Sequence, residues 1–168
     1  LGSNLPQDSD VLVSAMAHGS SGSRQLGVGI ISLKELHQTG RDFTGGISVP
    51  LRGKENRRVG SAELTLSALA ATHRAVSPDA IRVCVGTLTV PEEISRDTSI
   101  SELWIEVDLA CVALDTAVRT RALSKASSER QPLDFDFTHS VATPPGSAAL
   151  AALVKALATK EESDSDVY

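Results

Sequence analysis

At 168 residues the chain has the length of one domain and can bury roughly 70% of its unfolded surface. A composition of 41% hydrophobic and 22% charged residues is globular, and 3% aromatic content leaves the core to Ala, Val, Leu and Ile. The net charge of -5 argues against a non-specific nucleic-acid binder, which needs a positive footprint to displace phosphate counterions, and against adsorption of the whole surface to anionic membrane.

Residues 1–7, opening Leu-Gly-Ser, read as a tag or linker. Val11 to Ala17 alternates apolar and small residues as a strand does, and the Gly- and Ser-rich stretch His18 to Gln25 reads as an exposed loop. Leu26 to Leu33 is a second strand, in which Gly27 and Gly29 suggest a close backbone approach. Lys34 to His37 allows one helical turn. Ile47, Val49 and Leu51 share one face of a third strand that Pro50 assigns to a sheet edge, ahead of the turn Arg52-Gly53-Lys54-Glu55-Asn56. Val59 to Ser67 is a fourth, with Ala62, Leu64 and Leu66 on one side.

Leu69 to Val76 is an Ala-rich candidate helix, stopped by the linker-like Ser77-Pro78-Asp79. Ile81 to Val90 is a fifth strand and Pro91 to Ser99 a loop. Ser101 to Leu109 holds the only tryptophan; Leu103, Ile105, Val107 and Leu109 fall on one face, Glu102, Trp104, Glu106 and Asp108 on the other. A strand near Leu114 and a long polar loop follow. Leu133, Phe135 and Phe137 alternate with Asp134, Asp136 and Thr138 in a further strand. Beyond Pro144-Pro145-Gly146, Ser147 stands as N-cap of a helix to Thr159, with Leu150, Leu153, Val154 and Leu157 at helical spacing.

The pair Ile81 to Val90 and Leu103 to Leu109, with Pro-Glu-Glu-Ile-Ser-Arg-Asp-Thr-Ser-Ile between, resembles the start of the C-terminal C2 domain of the retinitis pigmentosa GTPase regulator-interacting protein family. That family reads Asp-x-Ser-Ile before a Leu-aromatic-Val-Glu strand; the matching residues are Asp97, Ser99, Ile100, Leu103, Trp104, Ile105 and Glu106. The Phe135-Asp136-Phe137 strand and the helix after it are similar as well. Leu26-Gly27-Val28-Gly29 and the Val59 to Leu64 strand are similar to the last strands of such a domain.

The resemblance implies an all-β fold: a C2-type antiparallel β-sandwich with one inserted α-helix at about 146–159, its C-terminal half at residues 8–76 and its N-terminal half at 77–168. Asp8-Ser9-Asp10-Val11 reappears as Asp164-Ser165-Asp166-Val167. The chain is therefore either a window across two tandem C2 domains or one permuted sandwich, completed within a chain or by strand exchange between two. We favour a completed sandwich, because a half-sandwich exposes strand edges and an open apolar face.

Enzyme chemistry has little support. There is no G-x-G-x-x-G, P-loop or G-x-S-x-G pattern, and His18, His37, His73 and His139 lack metal-ligand spacing. No catalytic residue, metal site or cofactor is assigned. Cys84 and Cys111 are too few for a disulfide framework and read as reduced, small core hydrophobes. With no leader sequence, no apolar run near the ~18 residues that span a bilayer and no Asn-x-Ser/Thr sequon, the expected location is intracellular.

By resemblance the domain is a non-catalytic scaffold module of the ciliary transition zone or basal body that binds the β-propeller of the retinitis pigmentosa GTPase regulator. Asp97, Trp104 and Glu106 are its candidate partner-binding residues. Asp97 serves equally well as a turn cap, and Trp104 either covers the second side of the sheet or marks a binding surface. Arg52, Lys54, Arg57 and Arg58 form the one basic cluster, either a solvated turn or a lipid contact, so membrane contact is at most peripheral. Ser163 and Ser165, set among Glu161, Glu162, Asp164 and Asp166, are candidate phosphorylation sites.

Calcium takes 6 to 8 oxygen ligands, largely carboxylate, and calcium-binding C2 domains present clustered aspartates on loops at one end. The stretch Ala17 to Gln25 contains no acid. Saturating calcium is accordingly expected to leave the melting temperature unchanged in differential scanning calorimetry; an upward shift would contradict this reading.

Overall fold

Residues 10–33, 38–39, 43–68, 80–109, 117–125 and 131–158 are described by a computed structural model. Among them the period-two alternation resolves into β1 (Asp10–Gly19), β2 (Gly22–Ser32), β3 (Phe43–Arg52), β4 (Arg58–Ser67), β5 (Ala80–Thr89), β6 (Ile100–Asp108), β7 (Val118–Arg119), β8 (Leu123–Ser124) and β9 (Leu133–Ala142), with helices α1 (Glu92–Arg96) and α2 (Ala148–Ala158). The fold is all-β and antiparallel.

The strands follow one path, β7-β6-β1-β2-β3-β4-β5-β9, with β8 also beside β6. Between β2 and β3 the ladder thins to the single pair Val28↔Arg52. There the path folds over, so that β6, β1 and β2 form one layer of a sandwich and β3, β4, β5 and β9 the other. β3 is not the edge strand that Pro50 suggests, since it lies between β2 and β4, but its ladder with β2 is confined to that one pair and Pro50 is left paired with Ser61 of β4 alone. The approach expected at Gly27 and Gly29 is present: added Cβ atoms would lie 2.2 Å from a Val59 methyl and 2.4 Å from a Val49 methyl.

Both layers turn alternate residues inward. Val11, Val13, Ala15 and Ala17 of β1 meet Leu103, Ile105 and Val107 of β6, Val49 and Leu51 of β3, Leu64 and Leu66 of β4 and Phe135 of β9 in one core. Each large aliphatic side chain buried in this way contributes about 1.5–3 kcal/mol. On β5 the inward parity switches, from Ile81, Val83 and Val85 to Leu88, because the register with β4 shifts between Ala62 and Leu64. The β5–β9 ladder shifts between Val85 and Thr87, where Asp136 adopts a positive φ of 42°.

Several local expectations change. His18 to Gln25 is not an open loop: β1 and β2 run on to a tight turn at Ser20-Ser21. Pro91 to Ser99 holds α1, whose backbone N–H groups at Ile94 and Ser95 donate to the Pro91 carbonyl. Ser147 caps α2 as expected, its hydroxyl accepting from the Leu150 N–H at 3.1 Å. On that helix Leu153 is fully buried but Val154 is 48% exposed, so the buried stripe is narrower than the spacing suggests. Cys84 is half-buried beside the Thr138 hydroxyl rather than in the core. The expectations for 34–37, 69–76, Cys111, Leu114 and 161–167 lie outside the described residues, as do His37 and His73.

The two halves of the sequence meet within one chain, along β4–β5 and along β1–β6, whose pairs run from Leu12↔Asp108 to Gly19↔Ile100. At the end of the second ladder the Ser20 N–H donates to the Ser99 carbonyl, and a Cβ on Gly19 would lie 1.6 Å from that oxygen. Gly19→Ala is expected to destabilise the fold by about 2–3 kcal/mol, read as a lower urea midpoint, because backbone must move to admit the methyl group. Gly45→Ala, with nothing within 4 Å of the added carbon, should leave the midpoint nearly unchanged.

Candidate functional site

At the end of the sandwich where β1 stops and β2, β4 and β6 begin, the chain forms a groove of about 530 Å³. One wall is the β3–β4 connection. Its Gly53 N–H donates to the Arg57 carbonyl at 2.8 Å and its Arg57 N–H to the Lys54 carbonyl at 3.1 Å, closing a 3-10 turn over Lys54–Asn56. Glu55 and Asn56 hold left-handed φ values of 55° and 60°, a conformation that Asn adopts readily and that costs Glu55 about 1–2 kcal/mol. The Arg52 guanidinium donates to the Asn56 carbonyl at 3.2 Å, bracing the turn from behind.

The opposite wall is α1 with the turn that follows it, and Asp97 organises this wall. Its Oδ1 accepts from the Ser99 hydroxyl at 2.6 Å and the Ser99 N–H at 2.9 Å, an Asx turn that leads into β6. Its Oδ2 accepts from the Arg24 guanidinium at 2.9 Å, bridging 73 residues to β2. Its carbonyl accepts from the Ile100 N–H at 3.1 Å and from Lys125 Nζ at 2.7 Å. The Ser99 hydroxyl and N–H, with a smaller contribution from Arg24, hold the Asp97 carboxyl below the usual range against a modest desolvation effect.

Along the rim, Arg57 pairs with Glu93 of α1. Both partners are largely exposed, so the pair is worth at most about 1 kcal/mol. Leu26, Val59, Pro91 and Ile94 supply apolar lining; Leu26, Val59 and Ile94 are partly buried against the core. Four cations, Arg24, Lys54, Arg57 and Arg58, line the groove with two carboxylates, Glu93 and Asp97. Two positive charges are therefore uncompensated, and among the described residues Lys54 and Arg58 have no side-chain partner.

The groove unites two sets that the sequence keeps separate: Asp97 from the partner-binding candidates, and Lys54, Arg57 and Arg58 from the basic cluster. Arg52 leaves that cluster, lining a different depression with Val28, Ile30, Pro50 and Asn56. Arg24 joins it. Nothing in the surrounding Gly- and Ser-rich stretch marks Arg24; only the pairing of β1 with β2 and β6 brings it to Asp97.

Trp104 and Glu106 lie farther along β6 and are not part of the groove. Trp104 is 2% exposed, its indole N–H donating to Glu106 at 2.9 Å while the Arg119 guanidinium lies over the ring, 4.0 Å from its centroid. A surface partner at this position meets Arg119 before the indole. The cation–ring contact adds about 0.5–2 kcal/mol, and Glu106, opposite Arg119 in the register, completes a small outer cluster on β6.

His18 contacts the Ser23 hydroxyl and His139 stacks on Phe137. Among the described residues no group of three His, Cys, Asp or Glu side chains is placed to hold a metal ion, and no helix is long and apolar enough to cross a membrane. Comparison with known protein families, curated proteins and solved structures finds no match.

The lowered Asp97 value gives a signed pH dependence. A carboxyl whose folded-state value lies below its unfolded one stabilises the fold above the ordinary Asp value of about 3.9, and this contribution is lost as pH falls through the folded value. The stability gap between wild type and Asp97→Asn in urea titrations is expected to be widest near neutral pH and to close progressively in acid below about pH 4. A gap that does not change with pH would show that the charge of Asp97 is not what orders the turn.

Proposed function

We propose that the protein is a non-catalytic, calcium-independent protein-interaction module of C2 type, with the groove between the β3–β4 turn and α1 as its docking face. The observation that carries this reading is the commitment of Asp97: a surface carboxylate bonded to Ser99 and Arg24, whose own carbonyl takes Lys125, fixes one wall of a groove whose other wall keeps two cations unpaired. Such order at a surface fits a preformed binding face, in which less freedom is lost on association. The resemblance through Asp97, Ser99, Ile100 and the strand after them makes the β-propeller of the retinitis pigmentosa GTPase regulator the first partner to test, and the transition zone or basal body the expected location.

Unpaired Lys54 and Arg58 favour one rival, a peripheral phospholipid-binding domain. Electrostatic lipid binding fades at high salt, so cosedimentation with anionic vesicles at low and high ionic strength separates the two.

Calorimetric titration with the propeller is expected to give a dissociation constant of about 1 μM or tighter, unchanged by calcium. Asp97→Gly, which releases Ser99, Arg24 and the turn together, is expected to weaken binding at least about tenfold. Unaltered affinity in a folded Asp97→Gly protein would remove the groove wall from the interface.

A further inference from the structure

We infer that the groove recognises an extended acidic segment of the partner, one that seats an apolar side chain on Leu26, Val59, Pro91 and Ile94 while its carboxylates meet Lys54 and Arg58. The inference rests on the reading of the groove as the docking face and specifies what that face binds.

Charge is the first argument. Within the groove four cations face two carboxylates, a local positive excess that draws an anionic segment to this place. Arg24 and Arg57 are already engaged by Asp97 and Glu93, so the cations available to a ligand are Lys54 and Arg58. Two free cations suit two or three carboxylates.

Shape is the second. An anionic bilayer is held by clusters of four or more available basic residues, whereas here only Lys54 and Arg58 are unpaired and they border a concavity with apolar lining. A volume of about 530 Å³ admits a few side chains, in the range of small-ligand and peptide pockets. The β3–β4 turn is the third argument. It holds Lys54 beside Glu55, whose left-handed φ is uncommon for that residue, and Arg52 braces the turn through the Asn56 carbonyl, so the cation stands on an ordered loop.

The test is an array of short synthetic peptides in which the number of Asp or Glu residues and the presence of one central Leu vary independently, probed with the intact chain. Signal is expected only where both features occur. Lys54→Glu combined with Arg58→Glu should lower affinity for the best peptide at least about tenfold, and Arg82→Glu, exposed on β5 and outside the groove, less than about twofold. Thermal melts confirm that the variants fold, since all three side chains are exposed. Equal binding of acidic and basic peptides, a double variant that binds like wild type, or binding to phosphatidylserine vesicles with none to any peptide would each overturn the inference. The propeller titrated against the same double variant separates the two claims. Lost propeller binding without acidic-peptide preference overturns the peptide chemistry and leaves the docking face standing, whereas retained propeller binding overturns both.

Discussion

The antiparallel ladder between β1 and β6 is the contact on which the molecule depends. Its partners, from Leu12↔Asp108 to Gly19↔Ile100, lie 81 to 96 residues apart in the chain. The entropy of closing so large a loop grows only slowly with its length, but it must be met before the pairing yields anything in return. That return comes from burial: Val13, Ala15 and Ala17 on one strand, and Leu103, Ile105 and Val107 on the other, all fall at or below 1% exposure. A topology that relies on distant pairings of this kind folds slowly compared with one built from neighbouring hairpins.

The charged groove follows from the same ladder. Ending β1 at Gly19 and opening β6 at Ile100 sets the Ser20 N–H against the Ser99 carbonyl, and the Asp97 turn is then anchored from both sides. Arg24 lies just past the β1–β2 turn and reaches the same carboxylate. Asp97 thus ties the two halves of the sequence together at the surface, as the apolar side chains do in the interior. Its duties as turn former and as groove wall are one set of hydrogen bonds.

Strands of ten or so residues with one buried face are legible in the sequence, because Val11 to Ala17, Val59 to Ser67 and Leu133 to Phe137 each carry several turns of the period-two pattern. The alternation fails as a guide where the backbone adds a residue: past Gly86 the inward parity on β5 changes, and no composition signal marks it. α1 is five residues long, starts at Pro91 without a side-chain cap and buries only Ser95, so neither periodicity nor capping announces it. β7 and β8 are two residues each, too short for any pattern. Asp97 is visible in the sequence, since an Asp two residues before a Ser suggests an Asx turn. Its groove is not, because Arg24, Lys54 and Glu93 share nothing local and meet only through register.

The single tryptophan gives the chain its own optical probe. Trp104 pairs with Met16 in the ladder that joins the halves, is sealed from solvent and lies beneath a guanidinium. Its emission therefore comes from a dry environment only while β6 is seated beside β1. Any opening of that seam, by denaturant, by mutation or by exchange of a strand with another molecule, wets the indole and moves its spectrum to the red. The integrity of the most sequence-distant strand pairing among the described residues can be followed without a label, in real time.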